Sequence, residues 1–194
     1  YDYNYNLAEV TVPISKITYM KENIPYLKKT GCLGVNMESM QAWNLYGPHT
    51  YLCARLLWDA DADADAILDE FYQTYCGPAA PFVKAYWNRL DQACVNAKVH
   101  VGSFYGVHEI WTPELLAACT ADLEAAAKAV PESPFKEHVM LFRSGVESAR
   151  QYLAIREAIN RCDFAKANDL FSAWLDFMTE NHKLGYNTSG GYYK

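Results

Sequence analysis

The residues of this chain best suited to chemistry are acidic, aromatic and amide side chains gathered in two short segments. The first is the alternating run Tyr1-Asp2-Tyr3-Asn4-Tyr5-Asn6; the second runs from Asn36 to Tyr46 and holds Glu38, Gln41, Trp43 and Asn44. Hydrolysis of a glycosidic bond needs two carboxyl groups flanking the scissile bond. Amide and carboxylate groups can hold sugar hydroxyls by hydrogen bonds, and flat aromatic faces can carry a sugar ring. Glu38 is therefore a candidate catalytic residue, and Tyr3, Tyr5, Asn36, Trp43, Tyr46 and His49 are candidate substrate-binding residues. A plainer reading stands beside this one: the aromatics pack the mouth of a fold, and Glu38 caps a loop or pairs with Arg55.

Other groupings carry less. Asp59, Asp61, Asp63 and Asp65, with Glu70 beyond them, imitate a calcium-binding loop, but Ala64 occupies the position that requires Gly for the sharp turn. Ile67, Leu68 and Phe71 follow at helical spacing, so the run reads as the acidic N-terminus of a helix, where negative charge suits the helix dipole. His49, His100, His108, His138 and His182 fit no metal-binding spacing, and no metal is expected. Six cysteines contain no C-x-x-C pair and lie mostly among apolar residues, as reduced, buried thiols do. Nucleophile elbows, phosphate-binding loops and dinucleotide fingerprints are absent from the sequence, and no cofactor is expected.

The elements that must position these side chains follow from periodicity. Alternation over the first six residues predicts a strand. Ile17, Met20, Ile24 and Leu27 predict a helix to Thr30, stopped by Gly31, with Pro25 marking its start or a kink. Cys32 to Met37 predicts a second strand, and Glu38 to Gly47 a loop. Pro48 is expected in the first turn of a helix that reaches Trp58. Strand, helix, strand, loop, helix is the rhythm of a (β/α) barrel, whose reactive side chains sit at the C-terminal ends of the strands and in the loops after them.

From Asp63 onward the pattern is helical. Thr112-Pro113-Glu114 opens one helix, and Asp163 is the expected N-cap between the last two. Phe135, Val139, Phe142, Val146, Ala149 and Leu153 recur at alternating spacings of four and three, which puts them on one seam of a long helix. Leu170, Phe171, Trp174, Leu175 and Met178 supply the last apolar face. The expected fold is mostly α with a small parallel α/β portion: residues 1–77 as the end of a (β/α) barrel, 78–185 as an antiparallel helical bundle, and 186–194 as a tail.

A chain of 194 residues with a net charge of −6 and no Lys/Arg cluster is a poor partner for a phosphate backbone, so nucleic acid is not expected. No run approaches the roughly 20 apolar residues of a membrane helix, and no membrane partner is expected. The start lacks both Met and a signal-peptide pattern, which makes a piece of a longer protein the expectation. The compartment stays open.

One longer motif joins these observations. Tyr51, Ala54, Arg55, Leu56, Trp58, Asp59, Asp61, Asp63, Leu68, Phe71, Tyr75 and Gly77 resemble the segment that closes the catalytic barrel of bacterial α-glucuronidase-like glycoside hydrolases, in particular an uncharacterised bacterial family related to them. Weaker similarity extends back through Gly31 to Val35 and Glu38, and forward through Ala79, Ala80, Tyr86 and Trp87. The resemblance implies the last two β/α units of a (β/α)8-type barrel with a helical domain appended. It implies a carbohydrate substrate, and the rest of the parent barrel as partner. It places Asp2 near a strand where that group carries a carboxylate, which makes Asp2 a candidate general base. The tryptophan- and aspartate-rich loop of α-glucuronidases is replaced here by Asn36 to Trp43. The expected function is therefore that of the C-terminal part of a glycoside hydrolase acting on plant or host glycans, inactive as an isolated piece. The alternative is a non-catalytic helical module that binds carbohydrate or a protein partner.

Overall fold

A computed structural model describes residues 1–4, 11–39, 42–99 and 106–186. The expected positions Tyr5 and Gln41, and the tail beyond Tyr186, lie outside the described residues.

Two very short strands, β1 (Asp2–Tyr3) and β2 (Met37–Glu38), pair in parallel and flank the helix α1 (Ile17–Lys29). Six further helices follow: α2 (Trp43–Trp58), α3 (Ala64–Cys76), α4 (Ala80–Asn96), α5 (Pro113–Ala129), α6 (Lys136–Asn160) and α7 (Phe164–Lys183). The described chain is mostly helical, with this one small sheet.

The helix ends follow local chemistry. α1 stops where Gly31 takes a positive φ of 82°, a conformation that suits glycine because it has no Cβ. α3 begins at Asp63, whose carboxylate accepts the N–H groups of Asp65 and Ala66 at 2.9 and 3.1 Å. Around it, Asp61 pairs with Lys28 and Asp65 with Lys21. Thr112 caps α5 through Leu115 N, and Asp163 caps α7 through Lys166 N. At the start of α1 the Ser15 hydroxyl accepts the Ile17 N–H at 3.2 Å. The buried Asp91 of α4 reaches across, accepting Ser15 Oγ at 2.6 Å, Thr18 Oγ1 at 2.5 Å and Thr18 N at 3.3 Å.

Three sequence expectations change. The apolar run Cys32 to Val35 is not a strand: Cys32, Leu33 and Gly34 are exposed, and β2 begins only at Met37. Pro25 does not mark the start of α1 but lies inside it. The segment before Pro48 is not a loop, because α2 starts at Trp43 and carries Pro48 in its interior. A proline there removes the amide that would bond the Asn44 carbonyl four residues back. That carbonyl instead meets α6 at Gly145, where a Cβ would fall only 2.6 Å from it.

The core is continuous from Val12 to Ala149 and crosses residue 77, since α1 packs on α4, α2 on α6, and α3 on both α4 and α6. Trp111 adds a tie, donating its indole N–H to Pro13 O at 2.8 Å. On the expected seam of α6, Val139, Phe142, Val146 and Ala149 are buried, while Phe135 and Leu153 are partly buried against the core. α6 packs against both α5 and α7. On α7 only Ala167, Trp174, Met178 and Asn181 are buried, and Phe171 is exposed.

Candidate functional site

The parallel ladder sorts the two candidate carboxylates. Asp2 lies opposite Met37, and Tyr3 opposite Glu38. Side chains alternate across a strand and register partners share a face, so Glu38 stands with Tyr3 and Asp2 stands on the other side of the sheet. Asp2 is held by α1: the Tyr19 hydroxyl donates to its Oδ2 at 2.6 Å, and the Tyr3 N–H donates to Oδ1 at 2.7 Å. Burial and the bond to Asp2 push the Tyr19 phenol up to about 12. Two groups on opposite faces cannot flank one scissile bond, so Glu38 would need its catalytic partner from another element.

Lys16 joins this side of the site. Its ammonium donates to Tyr3 O and lies 5.9 Å from the centre of the Tyr19 ring. Burial lowers its pKa, against the opposing pull of Asp2. Asn36 contributes backbone only in the described contacts, its carbonyl accepting Asp2 N at 3.0 Å, and the residue is exposed.

Beyond Tyr3 the chain is fixed by Asn4, a buried residue whose N–H donates to Glu38 O at 2.7 Å. Its amide nitrogen reaches Ser39 Oγ at 3.3 Å and Thr50 Oγ1 at 3.1 Å. His49 completes the arrangement. The ring is wholly buried, with Nδ1 accepting Lys16 N–H at 3.3 Å and Nε2 donating to Asn4 O at 3.0 Å. Burial lowers its pKa to about 4, so the imidazole is neutral near pH 7. Both ring nitrogens are occupied by backbone, which makes His49 a positioning residue for the strand ends. Tyr46 is buried beside it, ring centroids 5.6 Å apart.

Trp43 points elsewhere. It stays 42% exposed and lies near parallel to Phe71 and Tyr75 of α3 at 6.1 and 6.2 Å. Among the eight expected site residues, the structure thus brings Tyr3 and Glu38 together, sets Asp2 on the reverse face, buries Tyr46 and His49, and gives Trp43 to the groove between α2 and α3. Arg55 holds Glu70 at 2.9 Å.

Lys16, Tyr19 and Thr50 are site residues that no sequence pattern singles out, while Asn4 belongs to the alternating first segment. Their hydrogen bonds, Lys16 to Tyr3, Tyr19 to Asp2 and Thr50 to Asn4, span 13, 17 and 46 positions in the chain, beyond the reach of any local pattern. Burial pushes the thiols of Cys53 and Cys94 up to about 11 and those of Cys76 and Cys119 up to about 12, which disfavours the nucleophilic thiolate. Among the described residues no cluster of three His, Cys, Asp or Glu side chains could hold a metal ion, and no helix is long and apolar enough to cross a membrane.

With this geometry in place, comparison with known proteins adds one finding. No curated protein and no solved structure matches the chain. Residues 1–88, which span both strands, α1 to α3 and the first half of α4, match the model of a domain of unknown function, DUF4838.

Proposed function

We propose that this chain is the C-terminal part of a glycoside hydrolase of the α-glucuronidase-like kind, contributing the last two β/α units of a (β/α)8-type barrel and an antiparallel helical bundle behind them. The observation that carries the reading is the parallel β1–α1–β2 unit with Tyr3 and Glu38 side by side at its strand ends, the position from which barrel enzymes work. A two-stranded sheet with two residues per strand is too small to be stable by itself. Further strands from the rest of a barrel would extend it and complete the site. In this reading Glu38 is the carboxyl group this region supplies to the cleft, Tyr3 stands beside it against the sugar, and His49 and Asn4 hold the strand ends in place. Asp2, bonded to Tyr19, positions Tyr3 and α1. The second catalytic carboxyl group comes from an upstream strand.

The test compares two proteins on a panel of aryl glucuronides and neutral aryl glycosides: the 194-residue chain and the longer protein that carries its upstream residues. The reading expects turnover by the longer protein only. A longer protein that is folded, binds sugars and hydrolyses none of the panel would favour the non-catalytic carbohydrate-binding module.

A further inference from the structure

A helix face with a gap in it separates α2 from α3. Trp43, Gly47, Tyr51 and Arg55 follow one another every four residues, so they form one stripe along α2. Phe71 and Tyr75 form the facing stripe on α3, with rings 5.3 Å apart and only 16° from parallel. At Gly47 an added Cβ would stand 2.8 Å from Trp43 Cε3, so the missing side chain lets the indole lie down along its own helix. Glycine inside a helix costs about 0.5 to 1 kcal/mol relative to alanine, which makes a packing reason for it worth seeking. The result is an open cleft of about 200 Å³ lined by Trp43, Tyr51, Phe71, Thr74 and Tyr75.

The cleft is shaped in advance. Phe71 is buried and touches Tyr51, centroids 5.2 Å apart. Tyr75 is backed by the His138 ring at 3.8 Å and 5°, and that ring bonds the Tyr75 carbonyl. Polar groups stand beside the aromatic wall: Arg55 Nη1 bonds Tyr51 Oη at 2.7 Å and both carboxylate oxygens of Glu70 at 2.9 and 3.0 Å, while Thr74 is exposed at the edge. The arginine and glutamate neutralise one another, so the rim offers fixed donors and acceptors without net charge.

We propose that this cleft binds one neutral pyranose ring, the end of an oligosaccharide. A pyranose has the two features that the cleft answers: a face of C–H bonds, attracted to the half-exposed indole of Trp43, and an equatorial belt of hydroxyls for the Tyr51 and Thr74 groups of the lining and the Arg55–Glu70 pair beside Tyr51. A helix or strand of a protein partner would be too large for so small a cleft. The inference does not depend on the barrel reading, because every lining residue comes from α2 and α3.

Saturation-transfer NMR and calorimetric titration of the full-length protein with methyl β-D-xylopyranoside and methyl α-D-glucopyranoside test it. The expected result is saturable binding, with transfer strongest to the axial protons of one ring face. Trp43→Ala should weaken binding at least about tenfold by removing a stacking surface. Thr74→Arg should do the same by filling the cleft from an exposed position, with the melting temperature unchanged. Absence of saturable binding by wild type to both sugars would overturn the proposal, as would binding that neither variant weakens. Loss of hydrolytic activity is not a readout here, so a failed barrel reading and a failed cleft remain distinguishable.

Discussion

His49 donates its Nε2–H to the carbonyl of Asn4 at 3.0 Å while its Nδ1 accepts the Lys16 N–H, so a single imidazole ties α2 to the end of β1 and the start of α1. The ring must be neutral to accept at Nδ1. Its pKa falls from 6.5 to about 4, chiefly through burial. Between these values the unfolded chain binds a proton that the folded chain refuses, so stability rises with pH. The contribution is complete above about pH 6.5 and is lost as pH falls toward 4, a total on the order of 3 kcal/mol. Urea unfolding at several pH values should show this slope in wild type and lose it in His49→Gln. A wild-type and variant difference that stays constant across the window would contradict the neutral, buried ring.

Asp91 caps a helix to which it does not belong. Removing its carboxylate strands Ser15 Oγ, Thr18 Oγ1 and the Thr18 amide, so Asp91→Ala should cost about 2 to 4 kcal/mol. Asp91→Asn, which keeps one acceptor, should cost less. Chemical denaturation of both variants checks the order as well as the size.

The seam of α6 predicts a larger loss. Phe142 is fully buried and meets Trp87 edge to face at 5.7 Å and Tyr75 at 5.9 Å. Truncation to Ala should cost about 3 to 5 kcal/mol. A measured loss below about 1 kcal/mol, as at surface positions, would contradict the packing.

Gly145 tests the contact between α2 and α6. A methyl there would press into the Asn44 carbonyl at 2.6 Å and meet Pro13 at 3.1 Å. Gly145→Ala should therefore destabilise by about 1 to 3 kcal/mol through overpacking, despite alanine's better helix propensity. Gly34→Ala is the control: nothing lies within 4 Å of its added methyl, and no loss of this kind is expected.

Local signals in the sequence carried a long way. Gly31 after α1, the caps at Asp63, Thr112 and Asp163, and the burial of Val139, Phe142, Val146 and Ala149 all follow from short-range chemistry and a helical period. Pro48 misled because proline favours a first helical turn, whereas here it sits inside α2 and the Asn44 carbonyl it leaves unbonded lies against Gly145, nearly a hundred positions away. Cys32 to Val35 misled because an apolar run reads as a strand whether or not a neighbouring strand pairs with it. The site was legible as ingredients only. Strand alternation, which separates Asp2 from Glu38, becomes decisive once the register Tyr3 to Glu38 is known. The two ring bonds of His49 go to Asn4 and Lys16, which no spacing brings together. The α2–α3 cleft left a trace in the four-residue spacings of Trp43, Gly47, Tyr51, Arg55 and of Phe71, Tyr75, visible as one surface only when both helices are in place.

The central claim is that Glu38 is a working carboxyl group of a glycosidase cleft, and the turnover of an aryl glycoside by full-length Glu38→Gln tests it most directly. Glutamine keeps the shape and removes the charge and the transferable proton, so kcat should fall by about a hundredfold or more, as for loss of a general acid or base. The melting temperature should hardly move, while Asp2→Asn, on the reverse face, should retain most of the turnover. A Glu38→Gln protein that turns over like wild type would contradict the account.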